Sequence, residues 1–182
     1  MVVQRNMKIK KYIKEYNILL QWWLMFSIIN LGVVGGFTTD LVMNVNNADF
    51  TKLSFVIFVI FYIFTVKLGM NIYHFCKNKN ISTEMRIETA YENNESGWFT
   101  SDILLTIGMI GTVLGFIFML SSSFENINAS NLGSIQHSLT TMSAGMSTAL
   151  FTTAAGLICS LILKIQLFIF GKYLEKSEKN VS

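Results

Sequence analysis

Long apolar blocks separated by short polar stretches set the pattern of this chain. Four blocks reach the roughly 20 residues that a helix needs to cross a bilayer. ILLQWWLMFSIINLGVVGGF fills Ile18 to Phe37, and a second block runs from about Phe50 to His74. DILLTIGMIGTVLGFIFMLSS fills Asp102 to Ser122, and the fourth starts near Thr141 and runs to about Gly171. The pattern predicts an all-α, polytopic membrane protein with four transmembrane helices. Residues 1–17 form a polar N-terminal segment, 18–76 an outer hairpin of spans one and two, and 77–101 a short connecting loop. Spans three and four occupy residues 102–171, and 172–182 form a tail.

The four blocks are of two kinds. Spans one and two are built from Leu, Ile, Phe, Trp, Met and Val, and span two is bulky all round, as lipid contact allows. At 100° per residue, span three places Gly108, Gly111, Thr112 and Gly115 on one face and Ile103, Ile110, Val113, Leu114 and Ile117 on the other. Span four gathers Gly145, Ala149, Thr152, Thr153, Gly156 and Ser160 on one face, with Thr148 at its border. Leu150, Phe151, Leu157, Ile158 and Leu161 take the opposite side. Small residues let helix backbones approach, and Gly111 to Gly115 is itself a GxxxG pattern. Threonine can hide its hydroxyl against a carbonyl one turn earlier, so hydroxyls on such a face fit either helix packing or the wall of a pore. Both readings turn these faces away from lipid.

Charge orients the spans. The N-terminal segment carries Arg5, Lys8, Lys10, Lys11 and Lys14. The 77–101 loop carries Lys77, Lys79 and Arg86, and the tail carries Lys172, Lys176 and Lys179. The loop between spans one and two has only Lys52, beside Asp40 and Asp49, and the loop between spans three and four has neither Lys nor Arg. The positive-inside rule puts both termini in the cytoplasm, in agreement with an even number of spans. Lys67, near the inner end of span two, is expected to snorkel to the headgroups, and Trp22 and Trp23 to act as interfacial anchors. Ile9, Tyr12, Ile13 and Tyr16 recur at helical spacing among the N-terminal lysines. They suit either a basic amphipathic helix on the inner leaflet or a solvated tail. This start is too polar for a signal peptide, and no small-residue cleavage site follows the first apolar block.

Composition narrows the function classes. With 52% hydrophobic and 14% charged residues, the chain of 182 has too few charges to coat a soluble domain. No basic patch with interleaved aromatics suggests nucleic acid. Cys76 and Cys159 show no metal or redox spacing, and no phosphate loop, Cys/His pair or metal cluster points to an enzyme. No cofactor or metal is expected. The absence of proline favours uninterrupted helices.

IGMIGTVLGFIFML in span three and GMSTALFTTAAGLICSLI in span four resemble the signature helices of the MotA/TolQ/ExbB proton-channel family. Thr112 falls on the threonine of that family's Gly-Thr-Val-x-Gly segment, and Thr153 on the threonine three residues before the family's glycine, here Gly156. The resemblance covers roughly residues 100 to 165. It implies a homo-oligomeric, pentameric ring in the bacterial inner membrane, surrounding the single helices of a dimeric MotB/TolR/ExbD-like partner. Ion flow between ring and partner would drive mechanical work. The resemblance also implies that Thr112, Thr153, Thr148 and Thr152 line the ion path, with Gly108, Gly111, Gly115, Gly145, Ala149 and Gly156 packing the helices. Thr148 stands where the TolQ/ExbB branch carries a glutamate. Only about 25 residues fill the place of the large cytoplasmic domain of better-known members, which argues against a flagellar stator.

A proton path needs a titratable group or an unbroken water wire, and intramembrane acids usually supply the former. The span centres hold no acid, and hydroxyls do not titrate near neutral pH. His74 lies at the inner end of span two and His137 in the outer loop, where each suits an interfacial or solvated side chain better than a relay. A partner's aspartate, near the level of Thr112 and Thr153, is therefore expected to carry the proton. Asp102 reads as part of a Thr100–Ser101–Asp102 helix cap, or as the channel's inner mouth. Lys164 either snorkels or pairs with an acid such as Asp102 at that mouth. Two rival functions are a non-conducting membrane scaffold and a passive, holin-like pore.

Overall fold

The structure is a computed structural model that describes residues 17–32, 34–35, 52–77, 83–124 and 132–179, apart from the side chains of residues 83, 84, 122, 124, 132, 144 and 148. The amphipathic segment expected before residue 17 lies outside the described residues, as do residues 36–51 of the first expected outer loop and 125–131 of the second; residues 132–140 of the latter are helical. Helix α1 covers Asn17–Gly32. Helix α2 is Leu53–Lys77, α3 is Thr83–Phe124 and α4 is Leu132–Glu178. The described residues contain no strand. Helices α2, α3 and α4 are long and apolar enough to cross a membrane, while α1 as described is shorter.

Two of these helices outrun a bilayer. At 1.5 Å per residue, the 42 residues of α3 and the 47 of α4 extend about 63 and 70 Å. A hydrocarbon core is only about 30 Å thick. The apolar half of α3 follows Asp102, and its first half, TEMRIETAYENNESGWFTS, is polar. The polar composition of residues 77–101 predicts a loop, and the structure differs there. The segment is helical from Thr83 because nothing in it breaks a helix: there is no proline, and its polar side chains turn inward on their own turns. Thr89 donates to the Met85 carbonyl at 2.9 Å, Asn93 to the Thr89 carbonyl at 2.9 Å and Thr100 to the Ser96 carbonyl at 2.9 Å. A hydroxyl bonded back in this way no longer competes for backbone N–H groups. The cap expected at Thr100–Ser101–Asp102 is accordingly absent: these residues lie mid-helix, where no N–H is left free to cap.

The chain divides into two compact units. One takes the described parts of Met1–Val34, Tyr62–Thr100 and Ile162–Ser182. Its buried residues include Ile18, Leu68, Ile72, Ile87, Leu163, Leu167, Phe170 and Leu174. Helix α1 meets α2 where the Trp22 indole lies on Gly69, a position at which any Cβ would strike the ring. Trp22 also stacks on Phe26, centroids 5.2 Å apart. Trp22 thus packs between helices, and Trp23 faces outward as an anchor would, 65% exposed. Leu167 of α4 closes on Gly97 of α3 in the same manner. Phe75 at the end of α2 meets Phe170 and Tyr173 edge-on, at 6.4 and 6.1 Å. Lys67 is exposed, with its ammonium 5.4 Å from the Phe64 ring centre. The other unit takes the described parts of Gly35–Phe61 and Ser101–Leu161, and it holds the site.

Candidate functional site

Within the second unit α3 and α4 run antiparallel, and their small faces meet. Gly108 faces Gly156, Gly111 faces Thr152, Gly115 faces Ala149 and Met119 faces Gly145. Each step of three or four residues up α3 is matched by a step of three or four down α4, so the stripe stays in register over more than three turns. Backbone meets backbone most closely at Gly156. A Cβ there would lie 2.9 Å from the Gly108 Cα and 2.9 Å from the Leu104 carbonyl oxygen, both of them backbone atoms. A Cβ on Gly115 would come within 2.8 Å of the Ala149 Cβ, and one on Gly145 within 2.6 Å of the Met119 Cβ. This is the close backbone packing that small residues permit between apolar helices. Further along, Ser138 donates to the Ser123 carbonyl at 3.2 Å.

The bulky faces point away from this contact. Ile103, Ile110, Val113, Leu114 and Ile117 of α3 are exposed, as are Leu150, Phe151, Leu157, Ile158 and Leu161 of α4. The two-faced character expected of these spans is therefore observed, and the small faces find their partner in the same chain.

The four candidate path threonines part company. Thr152 is 0% exposed, with its Cβ against Gly111 and its hydroxyl donating to the Ala149 carbonyl at 3.1 Å. It fills the helix contact and offers no surface for an ion within the chain. The Thr148 side chain lies outside the described residues. Thr112 and Thr153 come together. Both are half-buried, at the border of the glycine stripe, and their hydroxyl oxygens are in hydrogen-bond contact. Each also reaches the Gly108 carbonyl oxygen at 3.2 Å, and Thr153 reaches the Ala149 carbonyl at 3.1 Å. A hydroxyl has one proton to donate. Two protons therefore serve four contacts, and the node has several hydrogen-bond arrangements. The shared acceptor is the feature that sequence reading missed. Its signal was present, because a glycine at position 108 leaves room for a threonine of the facing helix to reach that carbonyl.

The inner-mouth candidates are placed more simply. Asp102 is exposed on α3, where its carbonyl accepts from Thr106 at 2.8 Å. Lys164 is half-buried on α4 in the other unit. His137 is exposed near the start of α4. Among the described residues no group of His, Cys, Asp and Glu could hold a metal ion.

Three helices long and apolar enough to cross a membrane, two of them packed through a glycine-lined contact, define an α-helical protein of the membrane class. Residues 79–182 match the model of the MotA/TolQ/ExbB proton channel family, and the chain belongs to that family. Members of this family generally work with single-span partners of the TolR/ExbD/MotB kind. No curated protein and no solved structure matches the chain.

Proposed function

We propose that the chain is the ring subunit of an ion-driven membrane motor. In this reading it crosses the bacterial inner membrane four times, with α1 and the residues after it as the first span and both termini in the cytoplasm. Copies assemble as a ring, a pentamer by family likeness, around the helices of a dimeric single-span partner. The chain catalyses no covalent chemistry. It carries protons, or sodium ions, and passes the energy on as movement of the partner.

One observation supports this reading most directly: the Thr112–Thr153 hydroxyl pair, half-buried at the border of an otherwise sealed helix contact. Hydroxyls there can hydrogen-bond a carboxylate without titrating themselves. A partner aspartate at this level would have its pKa raised by desolvation and lowered by each hydroxyl that bonds it. Because two protons serve four contacts, one hydroxyl can turn to the carboxylate while the other keeps the Gly108 carbonyl occupied. Loading and release of a proton then cost little rearrangement of the backbone.

The test is reconstitution. The chain is co-expressed with a single-span protein bearing a central aspartate, encoded by a neighbouring gene, and purified into liposomes holding a pH-sensitive dye. A complex that conducts, with a chain that is silent alone, is the expected result. A holin-like pore would leak without the partner, and a scaffold would bind the partner yet never conduct.

A further inference from the structure

A second polar feature lies in the first unit, where the end of α2 meets the first half of α3. A cleft of about 160 Å³ opens there, lined by Asn71, His74 and Phe75 of α2 and by Met85, Arg86, Thr89, Ala90 and Asn93 of α3. Arg86 dominates it. Its guanidinium sits over the Phe75 ring, 4.8 Å from the centroid, and one terminal nitrogen donates to the Phe75 carbonyl. Its Nε is buried and has no hydrogen-bond partner. Among the described side chains no carboxylate pairs with it, and Glu88 and Glu92 of α3 are exposed and do not line the cleft. An arginine stays charged at any physiological pH, and its fork of donors matches phosphate. Holding that charge half-buried beside described partners that are all neutral is costly, and an anion in the cleft would relieve the cost.

We propose that this cleft binds the phosphate of an anionic inner-leaflet lipid, gripped by Arg86 with His74 and Asn71 beside it. Depth favours a lipid as the source. The uncharged run of α2 ends at Lys67, and Asn71 to His74 follow one to two turns later, about 6–10 Å along the axis. That interval corresponds to the headgroup layer, and Lys77 adds a further positive charge in the last turn. Phe75, Met85 and Ala90 give the cleft an apolar wall suited to the glycerol and upper acyl chain. Basic pockets between membrane helices on the cytoplasmic side are suited to anionic headgroups for these reasons. The depth argument rests on the orientation proposed above, but binding itself can be read on the solubilised full chain, whatever the ring conducts.

The experiment is native mass spectrometry of the detergent-solubilised full chain, titrated separately with phosphatidylglycerol, phosphatidylcholine and inorganic phosphate. Phosphatidylglycerol should be retained in preference to phosphatidylcholine. Arg86→Ala should weaken that retention about tenfold, the loss expected for a charge-assisted hydrogen bond, with Arg86→Lys in between. Lys172→Ala, which removes an exposed charge outside the cleft, should change nothing. If Arg86→Ala misfolds, Asn71→Asp keeps the test alive, since a negative charge on the cleft wall should expel the phosphate. Equal retention of both lipids, or wild-type retention in folded Arg86 and Asn71 variants, overturns the site. Displacement of phosphatidylglycerol by an equal concentration of inorganic phosphate overturns the lipid as its occupant.

Discussion

Thr112 of α3 and Thr153 of α4 touch through their hydroxyls and share one acceptor, the Gly108 carbonyl. Either threonine alone would satisfy itself one turn back along its own helix. Together they make a polar node at the border of a contact built mainly of glycine, alanine and a buried threonine, with Met119 and the Leu104 carbonyl at its ends. If the node meets a partner carboxylate, each hydroxyl supplies a hydrogen bond to a charged group, about 1.5–3 kcal/mol. Thr112→Ala or Thr153→Ala should therefore lower partner-dependent proton flux on the order of ten- to a hundredfold. Ring size on native gels should be unchanged, because a neutral interhelical hydrogen bond contributes only about 0.6 kcal/mol in membranes. Thr→Ser at either position keeps the hydroxyl and should conduct nearly as the parent does. Dye-based flux in liposomes measures all of these, and normal flux in both alanine variants would defeat the mechanism.

Glycines divide sharply by what stands opposite. At Gly156 an added methyl meets the Gly108 Cα and the Leu104 carbonyl, which cannot swing aside. Gly156→Ala should force α3 and α4 apart and destabilise the chain by about 1–3 kcal/mol, as overpacking does. At Gly32 a Cβ meets nothing within 4 Å. Gly32→Ala, in helix α1, should be neutral or should stabilise by up to about 1 kcal/mol, from helix propensity. Thermal melts of the two variants in the same detergent read the contrast. A Gly156→Ala variant as stable as the parent would contradict the close packing described here.

The reach of sequence reading follows from this same contact. The stripe of Gly108, Gly111, Gly115, Gly145, Ala149 and Gly156 was legible because helical periodicity alone puts small residues on one side. Which member of that stripe does what was not. Thr152 and Thr153 are neighbours on one face, yet Thr152 is sealed against Gly111 while Thr153 reaches Thr112 and Gly108. A difference of 100° around α4 decides this, and only the facing helix reveals which way it falls. Trp22 has the residue type of an interfacial anchor, but Gly69 on α2 opens a slot that takes the ring. Thr100 to Asp102 have the composition of a helix start. They lie mid-helix because the preceding polar residues satisfy their own side chains within α3.

Tyr91 ties the first half of α3 to the end of α4, donating its hydroxyl to Glu178 Oε2 at 3.2 Å. Burial, with Glu178 adding to it, holds the phenol above the usual tyrosine value. A group whose folded pKa is raised contributes stability that is complete below its unfolded pKa and is lost as pH rises through the folded one. The contact should therefore hold through neutral pH and weaken only in alkali, above the pH at which free tyrosine ionises. Differential absorbance at 295 nm, parent against Tyr91→Phe, should show one tyrosine titrating late. Glu175 and Lys179, both exposed and 2.7 Å apart, behave oppositely at the acid end. Lys179 holds the Glu175 carboxyl below its usual range, so that pairing is lost as pH falls through the lowered value.

Gln166 is 3% exposed, and both atoms of its amide are buried without a hydrogen-bond partner. Around it stand Ile18, Gln21, Trp22, Met25, Ile72, Ile169 and Phe170, and the gap among them measures only about 10 Å³; Gln21 is itself exposed, and neither it nor Trp22 bonds the Gln166 amide. The Trp22 indole N–H beside it is likewise buried and unpartnered. A buried polar group left unsatisfied costs about 1–3 kcal/mol. Methionine has nearly the same volume and shape and adapts readily to an irregular gap. Gln166→Met should thus stabilise the chain by about 1–2 kcal/mol, within that range. For a chain of this size the gain corresponds to a rise in Tm of about 2–4 °C per kcal/mol. Calorimetry or a thermal shift assay in detergent measures it. A lowered Tm would mean that the amide is satisfied in the assembled protein, by an ordered water shared with Trp22 or by a neighbouring copy. Repeating the melt on Trp22→Phe, which removes the indole donor, separates these: the two substitutions should be non-additive if they share a water and additive if a neighbouring copy supplies the bond.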